Sequence, residues 1–322
     1  MKHDVLMQRD GCEPAPPPET ASAARHDVEF VSGGVSCRAW LYEPLVNARR
    51  PATPCIVMAH GLGGTRACAL DPYARAFVAA GFHVLLFDYR CLGDSDGLPR
   101  QVVSIPGQLE DWAAAIRFAR ALPGVDPARI GLWGTSLSGG HVITMAARDP
   151  EIAAISAQCP MVDGRASVYM IVRELGWGRV LRLGLAGLFD WARTLLGLSP
   201  YCVPLVAPPG GLAAMASHDA YDGMHAIVSP TWRNEIAARV FLSLRWYRPR
   251  RAAKSVKCPA LIIACQKDSV TSPNAAVEAA RSMRGKARLV ELPIGHFDIY
   301  LGEWFERSSA EQIAFFKQAL GA

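Results

Sequence analysis

Charge is scarce in this sequence. Asp, Glu, Lys and Arg make up 20% of its 322 residues, and 34 basic against 29 acidic side chains leave a net charge of +5. With 51% hydrophobic residues, that excludes a disordered chain. There is no long basic run, so no nucleic-acid partner is expected. The densest basic cluster, Arg245, Arg248, Arg250, Arg251, Lys254 and Lys257, reads as a solvated linker face. Cysteines number nine, an odd count without CxxC spacing, which argues against a disulfide framework and a zinc site. No apolar stretch reaches the roughly 18 residues of a membrane span. The best candidate, Leu181–Leu198, is broken by Arg182, Asp190 and Arg193. The first residues lack the apolar segment of a secretory signal, and Pro14, Pro16, Pro17 and Pro18 suggest a mobile leader. No internal repeat is evident. A reducing, cytoplasmic setting is expected.

What is present is alternation. Short apolar runs at Cys37–Tyr42, Cys55–Ala59, Phe82–Phe87, Ile130–Trp133, Ile152–Ala157, Leu261–Cys265 and Arg288–Leu292 read as strands. Most are continuous rather than alternating, as in strands covered on both faces. Helix-period segments lie between them at Asp71–Ala80, Ser104–Leu122, Ser138–Arg148, Pro273–Met283 and Ser308–Leu320. The expected fold is therefore α/β, a mostly parallel central sheet flanked by helices. Residues 161–250 show no clear strand and are expected to form a helical cap or lid insertion. That divides the chain into a leader at 1–24, a core at 25–160 and 251–322, and the lid at 161–250.

Four places carry chemistry. In Gly131-Leu132-Trp133-Gly134-Thr135-Ser136-Leu137-Ser138-Gly139-Gly140 a strand turns sharply into a helix. A serine at that apex has a strained backbone, and its neighbours two residues away must be small; Gly134 and Ser138 are. The helix N-terminus then favours negative charge developing beside Ser136. In His60-Gly61-Leu62-Gly63-Gly64 the glycines free the backbone to turn N–H groups into a cavity, while His60 reads as a structural hydrogen-bonder. Asp268 and His296 each follow a strand's C-terminal end, where open α/β sheets bind ligands. A serine needs a base, and that base an orienting carboxylate. Asp163 is the rival acid, and His141 lies one turn into the helix after Ser136.

The order Ser136, Asp268, His296 resembles the α/β-hydrolase superfamily, whose triad runs Ser…Asp/Glu…His. The resemblance covers about residues 28–160 and 252–320. A narrower likeness joins Phe87-Asp88-Tyr89-Arg90-Cys91-Leu92-Gly93-Asp94-Ser95-Asp96-Gly97-Leu98-Pro99-Arg100 to the serine motif. That pairing is similar to the acetyl-xylan-esterase and dienelactone-hydrolase-like group of bacterial serine hydrolases. One departure is that the usual G-x-S-x-G ends here in Ser138. The resemblance implies a serine hydrolase cleaving a carboxylic ester through an acyl-enzyme. Ser136 would be the nucleophile, and the N–H groups of Leu62 (or Gly61) and Leu137 would form the oxyanion hole. It implies a small-molecule ester or thioester substrate and no metal or organic cofactor. Thioesterase, lactonase and C–C bond hydrolase share the triad. A non-catalytic binding protein on the same scaffold is the alternative from another class. Prolyl-peptidase relatives usually carry a large extra domain for which this chain has no room. In the lid, Met170, Leu175 and Trp177 begin an apolar series that reads either as lid packing or as a substrate pocket.

Overall fold

The computed structural model describes residues 24–45 and 52–321. The expected leader, but for residue 24, lies outside them. In chain order the elements are β1 (Ala24–Ser32), β2 (Val35–Glu43), β3 (Thr53–Ala59), α1 (Asp71–Ala79), β4 (His83–Phe87), α2 (Ile105–Arg120), β5 (Val125–Thr135), α3 (Leu137–Arg148) and β6 (Ala154–Gln158). Then come α4 (Gly164–Leu175), α5 (Trp177–Leu195), β7 (Cys202–Val203), α6 (Ala220–His225), β8 (Ile236–Ala237), α7 (Val240–Leu244) and α8 (Arg250–Ala253). The chain closes with β9 (Ala260–Cys265), α9 (Pro273–Ser282), β10 (Ala287–Leu292) and α10 (Gly302–Leu320).

Eight strands form one sheet in the order β1-β2-β4-β3-β5-β6-β9-β10. The pairs from β4 to β10 are parallel; β1 and β2 add an antiparallel edge. Strands β4, β6 and β9 are buried along their whole length, which is why they carry no polar alternation. All seven expected strands are present. β1 is an addition: it is an edge strand with one exposed face, and its Arg25, His26, Asp27 and Glu29 hide the pattern. It turns into β2 through Gly33 and Gly34, both at positive φ (54° and 79°).

The helices start where the sequence offers caps. Ser104 accepts from the Gly107 N–H at α2, and Ser272 from Ala275 at α9, each with a proline in the first turn. Helix α10 begins at Gly302, earlier than expected. Its Trp304, Phe305, Phe315 and Phe316 pack on the core, with Phe305 edge-on to Tyr73 at 4.8 Å between centroids.

Between β6 and α8 lie the long helices α4 and α5 and a two-residue ladder pairing Cys202 with Ala237 and Val203 with Ile236. That ladder is too short for a hydrophobic period to reveal. The ends of this segment are tied together. The Gly164 N–H donates to Tyr247 O at 2.9 Å, and the Arg250 N–H to Val162 O at 3.0 Å. Asp163 caps α4 and is paired with both Arg248 (3.1 Å) and Arg250. No helix among the described residues is long and apolar enough to cross a membrane.

Candidate active site

Ser136 sits between β5 and α3 at φ 55° and ψ −119°, a backbone state that costs a non-glycine residue on the order of 1–3 kcal/mol. The end of β6 and the loop after it hold it there: its N–H donates to Gln158 O at 2.9 Å, and its carbonyl accepts from Met161 N–H at 2.8 Å. A Cβ at Gly134 would stand 2.3 Å from Ser138 O, so the small-neighbour rule is a hard steric limit. Ser138, in place of the usual glycine, is fully buried, and its hydroxyl meets Tyr89 OH, which accepts from Trp112 Nε1 at 2.8 Å. The departure from G-x-S-x-G therefore has its own hydrogen-bonded seat.

The loop after β3 packs directly on the serine. A Cβ at Gly61 would lie 2.8 Å from Ser136 Cβ and 3.3 Å from its Oγ. As the first residue of α3, Leu137 has no intrahelical acceptor for its N–H. Leu62 N–H has no backbone acceptor among the described residues. Beneath the loop, the buried Asp88 accepts from the Arg66 N–H at 2.6 Å and the Asp94 N–H at 3.2 Å, and faces His60 at 3.6 Å. Burial raises the Asp88 pKa and lowers that of His60, despite their mutual attraction. His60 is stacked edge-on on Tyr89 and also lines the small cavity at Ser136.

His296 follows β10. Its Nδ1 lies 2.6 Å from Asp268 Oδ2, and both residues are buried. Burial opposes the charged imidazole, but the Asp268 carboxylate, with Cys159 beside it, outweighs burial and holds the His296 pKa well above its ordinary value. Asp268 is itself fixed: Oδ1 accepts from the Val270 and Thr271 N–H groups, both at 2.7 Å, and Oδ2 from Thr271 Oγ1 at 2.8 Å. Asp163, the rival acid, is spent on the α4 cap and two arginines. His141 is engaged on both ring nitrogens, by Tyr247 OH at 2.6 Å and Gln108 Oε1 at 3.0 Å, and lines neither cavity at the serine.

Cys159 was not singled out in the sequence. It follows β6 at φ 35°, and its donor atom lies within 4.8 Å of those of Asp268 and His296. This is the one trio among the described residues with spacing suited to a metal, although His296 Nδ1 and Asp268 already face each other at hydrogen-bond distance.

Two cavities meet at Ser136. The smaller, about 40 Å³, also touches His296, Gly61, Leu62 and Tyr300. The larger, about 890 Å³, touches Leu62 and Leu137 and runs between α4, α5 and α7 past Met161, Leu181 and Phe241. Of the three lid candidates, Trp177 lines it, whereas Met170 and Leu175 do not.

A family model described as X-Pro dipeptidyl-peptidase (S15 family) matches residues 33–298. The chain belongs to that S15 family. With the fold, this shows the hydrolase class and the α/β-hydrolase architecture expected from the serine turn. Among the relatives of this S15 member is the quorum-quenching protein AidA of Acinetobacter baumannii (strain MDR-ZJ06). It is 43% identical over 91% of this chain and 94% of its own. The thiohydrolase aneE of Aspergillus aculeatus is 28% identical over 91% of this chain and 93% of its own. The crystal structure of the alpha/beta hydrolase GrgF from Penicillium sp. sh18 superimposes with a TM-score of 0.77 at 24% identity, covering 93% of this chain and all of that one.

Proposed function

We propose that this hydrolase cleaves a carboxylic ester of a partly hydrophobic small molecule through an acyl-enzyme on Ser136. The observation that carries the reading is the shared cavity: the strained Ser136 and the Asp268-held His296 line the same 40 Å³ space. In the reaction, His296 takes the Ser136 proton as the hydroxyl attacks the carbonyl. Asp268 keeps Nδ1–H pointed away, so Nε2 is the free base. The N–H groups of Leu62 and Leu137 receive the oxyanion. His296 returns the proton to the leaving group, and water releases the acid. The 890 Å³ cavity takes the apolar part of the substrate, a volume in the upper range of small-molecule sites.

A thioester is the second reading, since the triad chemistry is the same and one relative is named a thiohydrolase. Lactone and C–C cleavage differ again only in the leaving group, and a silent binding protein would leave the serine unreactive. A reducing, cytoplasmic setting is part of the proposal, supported by the eight described cysteines being free thiols.

Intact mass after reaction with a fluorophosphonate tests the nucleophile. The wild type is expected to gain one adduct and Ser136→Ala none, with turnover lowered roughly 10⁶-fold. An unmodified, folded wild type would overturn the assignment. Panels of p-nitrophenyl esters, thioesters and lactones of rising chain length then separate the readings.

A further inference from the structure

Helix α5 is inside out for a surface helix. Arg179, Leu183, Gly187 and Asp190 are its buried positions and mark the side facing the protein. At 3.6 residues per turn, Trp177, Leu181, Leu185, Leu188 and Leu195 lie on the opposite side, each between 52% and 72% exposed. Trp191 and Leu196 extend the patch. Together these side chains expose on the order of 1,000 Å² of apolar surface, more than the roughly 300–600 Å² of the largest patch on an ordinary monomer.

The charge around the patch is predominantly positive. Residues 164–198 hold five arginines against two carboxylates. Of these, Asp190 is buried in a bidentate pair with Arg239 and Arg179 is buried on the inner side, which leaves four arginines against the exposed Glu174. Arg165 and Arg245 lie over the Trp246 ring and Arg193 over Phe189, so these cations rest on apolar rings. Arg173 and Arg182 are exposed beside them. A two-fold contact with a second copy would set these arginines against themselves. An anionic surface complements them. Tryptophan and leucine on one side with arginine on the flanks is the composition of a helix lying in a lipid headgroup layer.

We propose that this face docks on an anionic lipid bilayer. Helix α5 lies in the headgroup plane, its leucines and tryptophans reach the acyl boundary, and the flanking arginines meet lipid phosphates. Trp177, Leu181, Leu185 and Leu188 also line the 890 Å³ cavity, so its mouth opens on the docked face. A lipophilic substrate then passes from the bilayer to the cavity without crossing water. Docking itself does not depend on which bond the site cleaves.

The test is co-sedimentation of the full-length protein with phosphatidylcholine vesicles, with and without phosphatidylglycerol. Binding is expected to need the anionic lipid and to weaken as salt rises. Arg173→Glu with Arg182→Glu should weaken it by roughly thirtyfold or more, given the per-charge contribution at such surfaces. Leu195→Glu with Leu196→Glu should abolish it. Neither pair lines the cavity, so hydrolysis of a soluble short-chain ester should persist and report the fold. Ser136→Ala should bind vesicles like the wild type, which keeps failure of docking separate from failure of the catalytic reading. No binding at low salt, or equal binding to neutral and anionic vesicles, overturns the proposal. So does a dimer in sedimentation velocity that Leu195→Glu with Leu196→Glu dissolves while vesicles stay unbound.

Discussion

Asp268→Asn should slow the reaction and at the same time make it less sensitive to acid. The carboxylate's Oδ1 is held by two backbone N–H groups from Val270 and Thr271. In the variant that position must remain an acceptor, so the amide oxygen stays there. The amide NH₂ then replaces Oδ2 and points a donor at His296 Nδ1. Nδ1 can face that donor only as an acceptor, which places the ring proton on Nε2, the atom that must take the serine proton. The wrong tautomer is expected to lower kcat by roughly 10⁴-fold. The pH dependence moves the other way. In the wild type the Asp268 carboxylate outweighs burial and raises the His296 pKa. Because the base works only when neutral, the acid limb of kcat/KM lies above the ordinary histidine value and activity climbs with pH through it. Without the carboxylate the largest raising influence is lost and only Cys159 opposes burial, so the pKa falls and the limb shifts to lower pH. Hydrolysis of a short p-nitrophenyl ester from about pH 5 to about pH 9 reads both effects, with a melting curve to confirm folding. A variant within tenfold of the wild type, or one whose acid limb stays in place, would refute the assignment of Asp268 as the group that orients and charges His296.

Two further outcomes follow from the geometry. Gly61→Ala puts a methyl 2.8 Å from Ser136 Cβ; the loop carrying Leu62 must retreat, and turnover should drop by roughly 10²–10³, as for a lost oxyanion donor. An unchanged rate in steady-state assays would disconnect that loop from catalysis. Gly184→Trp starts from a position with open space around its Cβ and fills part of the 890 Å³ cavity. Long-chain esters should lose at least roughly tenfold in kcat/KM relative to short ones, while the melting temperature holds; a uniform loss across the series would place the acyl chain elsewhere.

The sheet was legible because its strands are buried on both faces, and burial leaves a continuous apolar run in the sequence. β1 was not, because an edge strand carries charge on its open side. The proposed catalytic residues were legible for a topological reason: each follows a strand end, and parallel strands bring those ends to one edge. The surrounding support was not. Nothing local to Cys159 says that it will lie beside His296, since that proximity arises where β6 and β9 pair. Asp88 stands in a recognisable motif, but its place beneath the His60–Gly64 loop arises only where β3 and β4 pair. Residues 161–250 were legible only in part. The apolar spacing of α5 identifies an amphipathic helix, but period alone does not say which side faces the protein. Its buried side carries an arginine and an aspartate beside Leu183, and the other leucines look out.

The tied ends of residues 161–250 have a consequence for descent. The segment departs at Val162, just past β6, and comes back at Arg250, the start of α8; the two residues are joined by a hydrogen bond of 3.0 Å, with Asp163 clasping the returning arginines. A segment that departs and returns through one point imposes no span on the scaffold below it. Lengthening such a closed loop costs little, about 0.6 kcal/mol per doubling. Mutation can therefore lengthen, trim or rewrite this segment while the strands that hold the proposed catalytic groups keep their register. Relatives of this chain are free to diverge in diet faster than in anatomy.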